Sequence, residues 1–173
     1  RPDRELWGMP SHLFTHLTPD DMSALIAYMR SVPASGVGHP DPVFEEGARR
    51  EITAGIFTSS ATQVRNEGSS WPTDAGEPYA LGRYIVRATC AECHGISLRG
   101  EPPNSDVSPP PDLRMVAGYG LEQFRRLLQT GIAVGNRDVG LMSRVAQRRF
   151  VNLTDSEIDA VHRYLQRVAQ LDP

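Results

Sequence analysis

The chain has 173 residues, of which 39% are hydrophobic and 23% charged, as in an ordinary globular protein. Its net charge is −3, and its basic residues, all arginine, are not clustered as a nucleic-acid-binding face would require. No apolar run approaches the length of a membrane-spanning helix. Two cysteines are too few for a disulfide framework, which leaves a redox dithiol, a metal site or haem attachment. Because the chain begins at Arg1 without a start methionine, we expect a processed or truncated product.

The first predicted element is an amphipathic helix over residues 18–32. Thr18 suits the N-cap and Pro19 the first helical position, a combination typical of helix starts. Five apolar residues recur at helical spacing along one side of this helix: Met22, Leu25, Ile26, Met29 and Val32. Such a stripe predicts a packing partner for the helix.

Residues 34–76 are rich in Gly, Ser, Pro and Thr, which indicates a linker or strap. At most one helix is expected there, within residues 43–56. We expect the remainder to be extended and laid over the surface of a domain, with Trp71 as its anchor.

The chemistry is concentrated in a C-x-x-C-H sequence, formed by Cys90, Cys93 and His94 after an amphipathic helix predicted over residues 79–88. This is the attachment sequence of c-type haem. Two cysteines one helical turn apart reach the two vinyl groups of one porphyrin, and the histidine then lies beneath the iron. A thioredoxin-like dithiol would follow a strand, and a zinc site would need two further Cys or His ligands. We therefore predict one covalent haem c on these three residues.

A second axial ligand is expected further along the chain, because Met opposite His is the usual pairing in electron-transfer haems. Met115 comes just before a helix predicted over residues 121–129. Met142 lies in an irregular stretch shortly before the last helix. His162 would give bis-histidine ligation, but its apolar helical neighbours favour a place at a helix interface.

The last helix repeats the first. Residues 153–168 match residues 17–32 at a shift of 136 positions, and both copies begin with Leu-Thr. In the last helix, Thr154 and Glu157 form the sequence pattern of a capping box. Met9-Pro10 precedes the first copy.

These features resemble class I cytochromes c, an all-α fold in which a small helical bundle surrounds a covalent haem. Residues 77–173 are similar to a complete domain of this kind. Residues 1–33 are similar to the C-terminal remnant of a preceding one, and residues 34–76 join the two. The resemblance implies that the helix before the haem motif crosses the last helix where Gly82 faces Tyr164.

The same resemblance implies roles for further residues. The carbonyl oxygen of Pro111 is expected to accept a hydrogen bond from Nδ1 of the ligand histidine, and Met142 is expected to be the distal ligand. The usual Met-Pro pair is here Met142-Ser143, a departure from the family pattern. Met9 is a candidate ligand of a second haem whose attachment motif is absent from this chain. Four residues are candidates for pairing with the haem propionates: Arg99, Arg114, Arg137 and Arg144.

As a whole, the chain resembles the C-terminal part of a bacterial diheme cytochrome c. The resemblance implies one-electron transfer rather than catalysis, with a dehydrogenase, an oxidase, a respiratory complex or another cytochrome as partner. It also implies a periplasmic protein, or one tethered to the membrane and facing the periplasm, because haem is attached outside the cytoplasmic membrane. The alternatives are a haem enzyme (a peroxidase or a thiosulfate-oxidising enzyme) and a relay subunit of a larger oxidoreductase complex.

Overall fold

A computed structural model describes residues 6–38, 43–67, 70–100 and 110–171. The chain divides into two compact units, Arg1–Ser69 and Ser70–Pro173. Both units are built from helices, and the all-α prediction is confirmed. No helix among the described residues is long and apolar enough to cross a membrane.

The described residues of the first unit form three α-helices, α1 (Pro19–Ser31), α2 (Glu46–Thr53) and α3 (Ser60–Glu67), and a 3-10 helix over Ser11–Phe14. Thr18 caps α1 by accepting a hydrogen bond from the backbone N–H of Asp21, as the sequence predicts. None of the residues of α1, all of which the structure describes, is buried. The apolar stripe of this helix is therefore open to solvent.

The helix α3 lies where the sequence predicts an extended strap. Its eight residues include no glycine or proline, so the glycines and prolines of the stretch flank the helix rather than interrupt it. Ser60, at the start of α3, is buried and bonds to the backbone of Leu6 and Met9. Its backbone N–H donates to the carbonyl of Leu6 and its hydroxyl to that of Met9, both at 2.8 Å. By contrast, α2 falls inside the range in which one helix was predicted.

In the second unit, the part of the chain that the structure describes forms five α-helices, three 3-10 helices and one short hairpin. The α-helices are α4 (Ala80–Thr89), α5 (Ala91–His94), α6 (Leu121–Thr130), α7 (Leu141–Arg148) and α8 (Asp155–Leu171). The 3-10 helices are Glu77–Tyr79, Leu113–Gly118 and Phe150–Asn152. Between α6 and α7, β1 (Ile132–Ala133) pairs antiparallel with β2 (Arg137–Asp138). The predicted capping box starts α8, because Thr154 and Glu157 each accept a hydrogen bond from the other's backbone N–H.

The core of this unit forms where α4 crosses α8. Val86 of α4 and Ile158, Tyr164 and Leu165 of α8 are among its fully or almost fully buried residues. At Gly82 the helices meet backbone to backbone. A Cβ atom there would lie 2.2 Å from the carbonyl oxygen of Ala160 and 2.6 Å from Cβ of Tyr164. The predicted crossing is confirmed.

Residues 70–76 lie along α4 and α8 as a strap. The Tyr164 hydroxyl donates to the carbonyl of Thr73 at 2.8 Å, and burial raises the pKa of Tyr164 to about 12, so the phenol stays a donor. Trp71 stacks on Tyr84 with 6.5 Å between ring centroids, and the Arg83 guanidinium lies 5.4 Å from the centroid of the Trp71 ring. Trp71 is thus the anchor that the sequence predicts.

We expect Gly82→Ala to lower the free energy of unfolding of the second unit by about 1–3 kcal/mol. The new methyl group would overlap backbone atoms of α8, and these can move away only if the two helices shift apart. Gly118→Ala is the matched control, since a Cβ at Gly118 meets nothing within 4 Å. Chemical denaturation of both variants and the parent measures the difference. Equal stability of the two variants would contradict the account of the crossing.

Candidate functional site

The two cysteines and the histidine lie at the junction between α4 and α5. Cys90 ends α4, and its carbonyl oxygen accepts hydrogen bonds from the backbone N–H groups of Cys93 at 3.2 Å and His94 at 3.0 Å. Gly95, with φ of 73°, ends α5 immediately after the histidine. The local fold therefore presents both sulfur atoms and the imidazole within a single turn, as attachment of one haem requires.

His94 is 8% exposed and its ring is held by one hydrogen bond. Nδ1 lies 2.8 Å from the carbonyl oxygen of Pro111. Because a carbonyl oxygen only accepts, Nδ1 carries the proton and Nε2 keeps a lone pair. Burial lowers the pKa of His94, with the bond to Pro111 opposing it in part. The neutral ring with a free Nε2 is the form that binds iron.

The position of Pro111 depends on a close contact at Gly100. The backbone N–H of Gly100 donates to the carbonyl of His94 at 3.0 Å, and φ of Gly100 is +74°. A Cβ on this residue would lie 1.8 Å from the carbonyl oxygen of Pro110. The backbone N–H of Leu113 donates to Leu98 at 2.9 Å and fixes the other side of the proline segment. Sequence reasoning missed Gly100, because a single glycine in a polar loop gives no signal of a long-range contact.

The thiols are unlike those of a redox dithiol. Burial raises the pKa of Cys90 to about 11, and burial also raises the pKa of Cys93. A reactive dithiol needs a lowered pKa and follows a strand, whereas this pair follows α4. Nor do the described residues contain a group of three or more His, Cys, Asp or Glu that could hold a metal ion. Thiols of raised pKa that follow a helix are therefore not arranged as a redox dithiol, whereas their spacing and the adjacent imidazole fit covalent haem.

Met142 lies in the first turn of α7 rather than in the irregular stretch that the sequence indicates. Gly140, with φ of 67°, sits at the N-cap, and the eight residues after it contain neither Gly nor Pro, which explains the helix. Met142 is half-buried and packs against the core cluster on which Cys90 also packs. Met115, by comparison, is 49% exposed.

His162 occupies the helix interface that the sequence favours. Its Nε2 lies 2.8 Å from the carbonyl oxygen of Tyr119, and its ring centroid lies 5.3 Å from that of Phe124. The nitrogen that would bind iron is thus engaged with backbone, which argues against bis-histidine ligation.

The four arginines that are candidates for pairing with the haem propionates differ in their contacts and exposure. Arg114 forms an ion pair with Asp112 at 2.5 Å, and the hydrogen bonds to Arg114 lower the pKa of that carboxyl group. Nε of Arg137 donates to the carbonyl of Val134 at 3.0 Å. Arg99 and Arg144 are exposed. Met9, the candidate ligand of a second haem, belongs to the first unit and is 53% exposed.

Comparison with known proteins gives one family. The model of the cytochrome c family matches residues 79–169, which include α4, the C-x-x-C-H motif and most of α8. No curated protein and no solved structure matches the chain significantly.

Gly100→Ala tests how Pro111 is positioned. The new methyl group would displace Pro110 and Pro111, weaken the hydrogen bond to Nδ1 of His94 and lower the frequency of the iron–histidine vibration. Gly135→Ala is the matched control, because its φ of +76° imposes similar backbone strain, about 1–2 kcal/mol, while its nearest neighbour lies 3.9 Å away. Resonance Raman spectra of the ferrous proteins measure the effect, and they are taken in a Met142→Ala background so that the predicted distal ligand is absent. Equal frequencies in both variants would contradict it.

Proposed function

The chain belongs to the cytochrome c family, and from this we propose that residues 77–173 pass single electrons through one haem ligated by His94 and Met142. A cytochrome c domain carries covalently bound haem c, and its activity is haem-based electron transfer. When bound, the haem supplies an iron that takes up and releases one electron. The chain's residues attach it, orient it and exclude water.

The observation that carries the proposal is the fixed ring of His94 beside the two cysteines. Cys90 and Cys93 would form the thioethers, and His94 would offer Nε2 to the iron. The hydrogen bond from Nδ1 to Pro111, 2.8 Å long, holds the plane of the ring and increases the electron density on Nε2. A ligand held in this way needs little rearrangement when the charge of the iron changes.

Met142 would complete the axial pair and favour the reduced state. Thioether ligation and an apolar surrounding both raise the reduction potential. Met142 packs against a core that includes Leu128, Phe150 and Leu165, which supports this assignment. His94 and Met142 together would leave the iron no open position for a substrate, and this argues for an electron carrier over a peroxidase or a thiosulfate-oxidising enzyme.

The partners of a cytochrome c domain are redox proteins in general. We propose a relay in the periplasm between a dehydrogenase or respiratory complex and an acceptor. A face suited to such contacts lies around Met142. The stretch of residues 131–152 carries four arginines and one acidic residue, and Val139 and Leu141 are exposed within it. An excess of arginine together with exposed apolar side chains suits brief docking to an acidic redox protein.

The first unit suggests a second haem. The apolar stripe of α1 is exposed, and contiguous apolar surface of this kind indicates a missing partner. Together with the repeat, this supports the proposal that residues 1–33 complete another cytochrome c domain in which Met9 is the distal ligand. The whole protein would then be a diheme cytochrome.

Met142→Ala should abolish the weak thioether-to-iron charge-transfer band of the oxidised protein and lower its reduction potential, because the iron loses its thioether ligand. Optical spectra and a potentiometric titration measure both effects. Met115→Ala is the control, since this second methionine of the same unit is exposed. Retention of the band in Met142→Ala, or its loss in Met115→Ala, would show that the ligand is wrongly assigned.

The diheme proposal is tested by haem stoichiometry in protein made from the full gene. A pyridine haemochrome assay combined with quantitative amino-acid analysis should give two haems per chain. In that protein, Met9→Ala should alter the spectrum of one haem and leave the other unchanged. A stoichiometry of one haem per chain would leave Met9 as an ordinary packing residue.

A further inference from the structure

Ser143, the residue that departs from the usual Met-Pro pair, is 1% exposed and makes two hydrogen bonds through its side chain. Its hydroxyl donates to the carbonyl oxygen of Gly131 at 2.5 Å and accepts from the backbone N–H of Val139 at 2.9 Å. Both the donor and an acceptor site of the hydroxyl are therefore used, in a place from which water is excluded.

These two bonds close the segment that carries Met142. The segment covers residues 131–142. Ser143 joins Gly131, at the start of the segment, to Val139, near its end. Within it, β1 pairs with β2, and the backbone N–H of Gly140 donates to the Asp138 carboxylate at 2.7 Å. The hydroxyl thus ties both ends of a hairpin to the first turn of α7, next to Met142.

The backbone of Ser143 adds a steric restraint. A Cβ atom at Gly131 would lie 2.6 Å from the carbonyl oxygen of Ser143, so the first turn of α7 packs directly on the end of α6. Proline after the methionine would fix the chain through its ring. Here the same stretch of chain is fixed by a buried hydroxyl and a close backbone contact.

We propose that Ser143 is a positioning residue for the distal ligand, holding residues 131–142 in the shape that keeps Met142 on the iron. This inference rests on the proposed function. Loss of the hydroxyl leaves the N–H of Val139 and the carbonyl of Gly131 without their buried partner. The segment then opens more often, and Met142 leaves the iron more often.

The test measures how fast imidazole replaces the distal ligand in the oxidised protein, followed by stopped-flow loss of the charge-transfer band. Ser143→Ala should keep the band at neutral pH and exchange at least about fivefold faster than the parent, the effect of losing about one buried hydrogen bond. Gln147→Ala is the matched control, because Gln147 also joins α7 to the end of α6, but it does so by donating to the carbonyl of Thr130 at 3.0 Å, which lies outside the segment. Its side chain packs beside Gly131 and forms neither of the two bonds that close the segment. An acceleration of less than about fivefold in Ser143→Ala would overturn the proposal, and so would an acceleration in Gln147→Ala as large as that in Ser143→Ala.

Met142→Ala in the same series separates this inference from the proposed function. If Met142→Ala loses the band while Ser143→Ala exchanges at the parent's rate, only the positioning role fails. If Met142→Ala keeps the band, the ligand assignment fails and the positioning role fails with it.

A second measurement needs no variant and covers the case in which Ser143→Ala does not fold. Coupling between two sites is reciprocal, so displacing Met142 with saturating imidazole should loosen the bond between Ser143 and Val139. Amide hydrogen exchange at Val139 should then accelerate, while exchange at Ile158, whose N–H bonds to Thr154 at 3.0 Å at the start of α8, should not change. Unchanged exchange at Val139 would overturn the proposal.

Discussion

The crossing of α4 and α8 at Gly82 is the contact on which the rest of the second unit depends. Two helices can approach this closely only where one of them has no side chain, and Ala160 and Tyr164 fill the space that a Cβ would occupy. A glycine within a helix costs helix stability, roughly up to 1 kcal/mol relative to alanine, and Gly82 lies in the first turn of α4. The close approach offsets that cost by burying Val86, Ile158 and Tyr164 almost completely.

The consequences of this crossing extend along α4 to the site. Because α4 is held on α8, the residue that caps its end, Cys90, and the turn that follows begin from a fixed position. The next restraint is the bond from His94 to Pro111, and its geometry depends on the contact between Gly100 and Pro110. These are backbone contacts at places where a side chain would not fit. The site is therefore formed mainly by the path of the chain, and only a few side chains supply its chemistry.

The sequence was most informative where chemistry or helix periodicity is local. The C-x-x-C-H motif, the caps at Thr18 and Thr154, and the apolar faces of the long helices all depend on residues within a few positions of each other. The resemblance to class I cytochromes c predicted the contact between Gly82 and Tyr164, which no local sequence pattern indicates. The composition of residues 34–76 wrongly predicted an extended strap where α3 lies, because this stretch is rich in Gly and Pro but the eight residues of α3 contain neither.

Two other features lay beyond local reasoning. Gly100 matters because Pro110, ten residues further along the chain, lies directly against it, and helix periodicity does not predict such a contact. Ser143 was visible only as a departure from Met-Pro. Its partners, Gly131 and Val139, became evident once the hairpin between α6 and α7 was placed. In both cases the missing information was tertiary.

The claim at the centre of this account is that His94 and Met142 occupy both axial positions, so that the iron transfers electrons and binds no substrate. Adding carbon monoxide to the reduced protein tests it most directly, because this ligand binds ferrous haem wherever an axial position is open. The account predicts that the optical spectrum of the reduced protein stays unchanged at neutral pH. Rapid formation of a carbon monoxide complex by the whole of the haem would contradict it and would favour a haem enzyme.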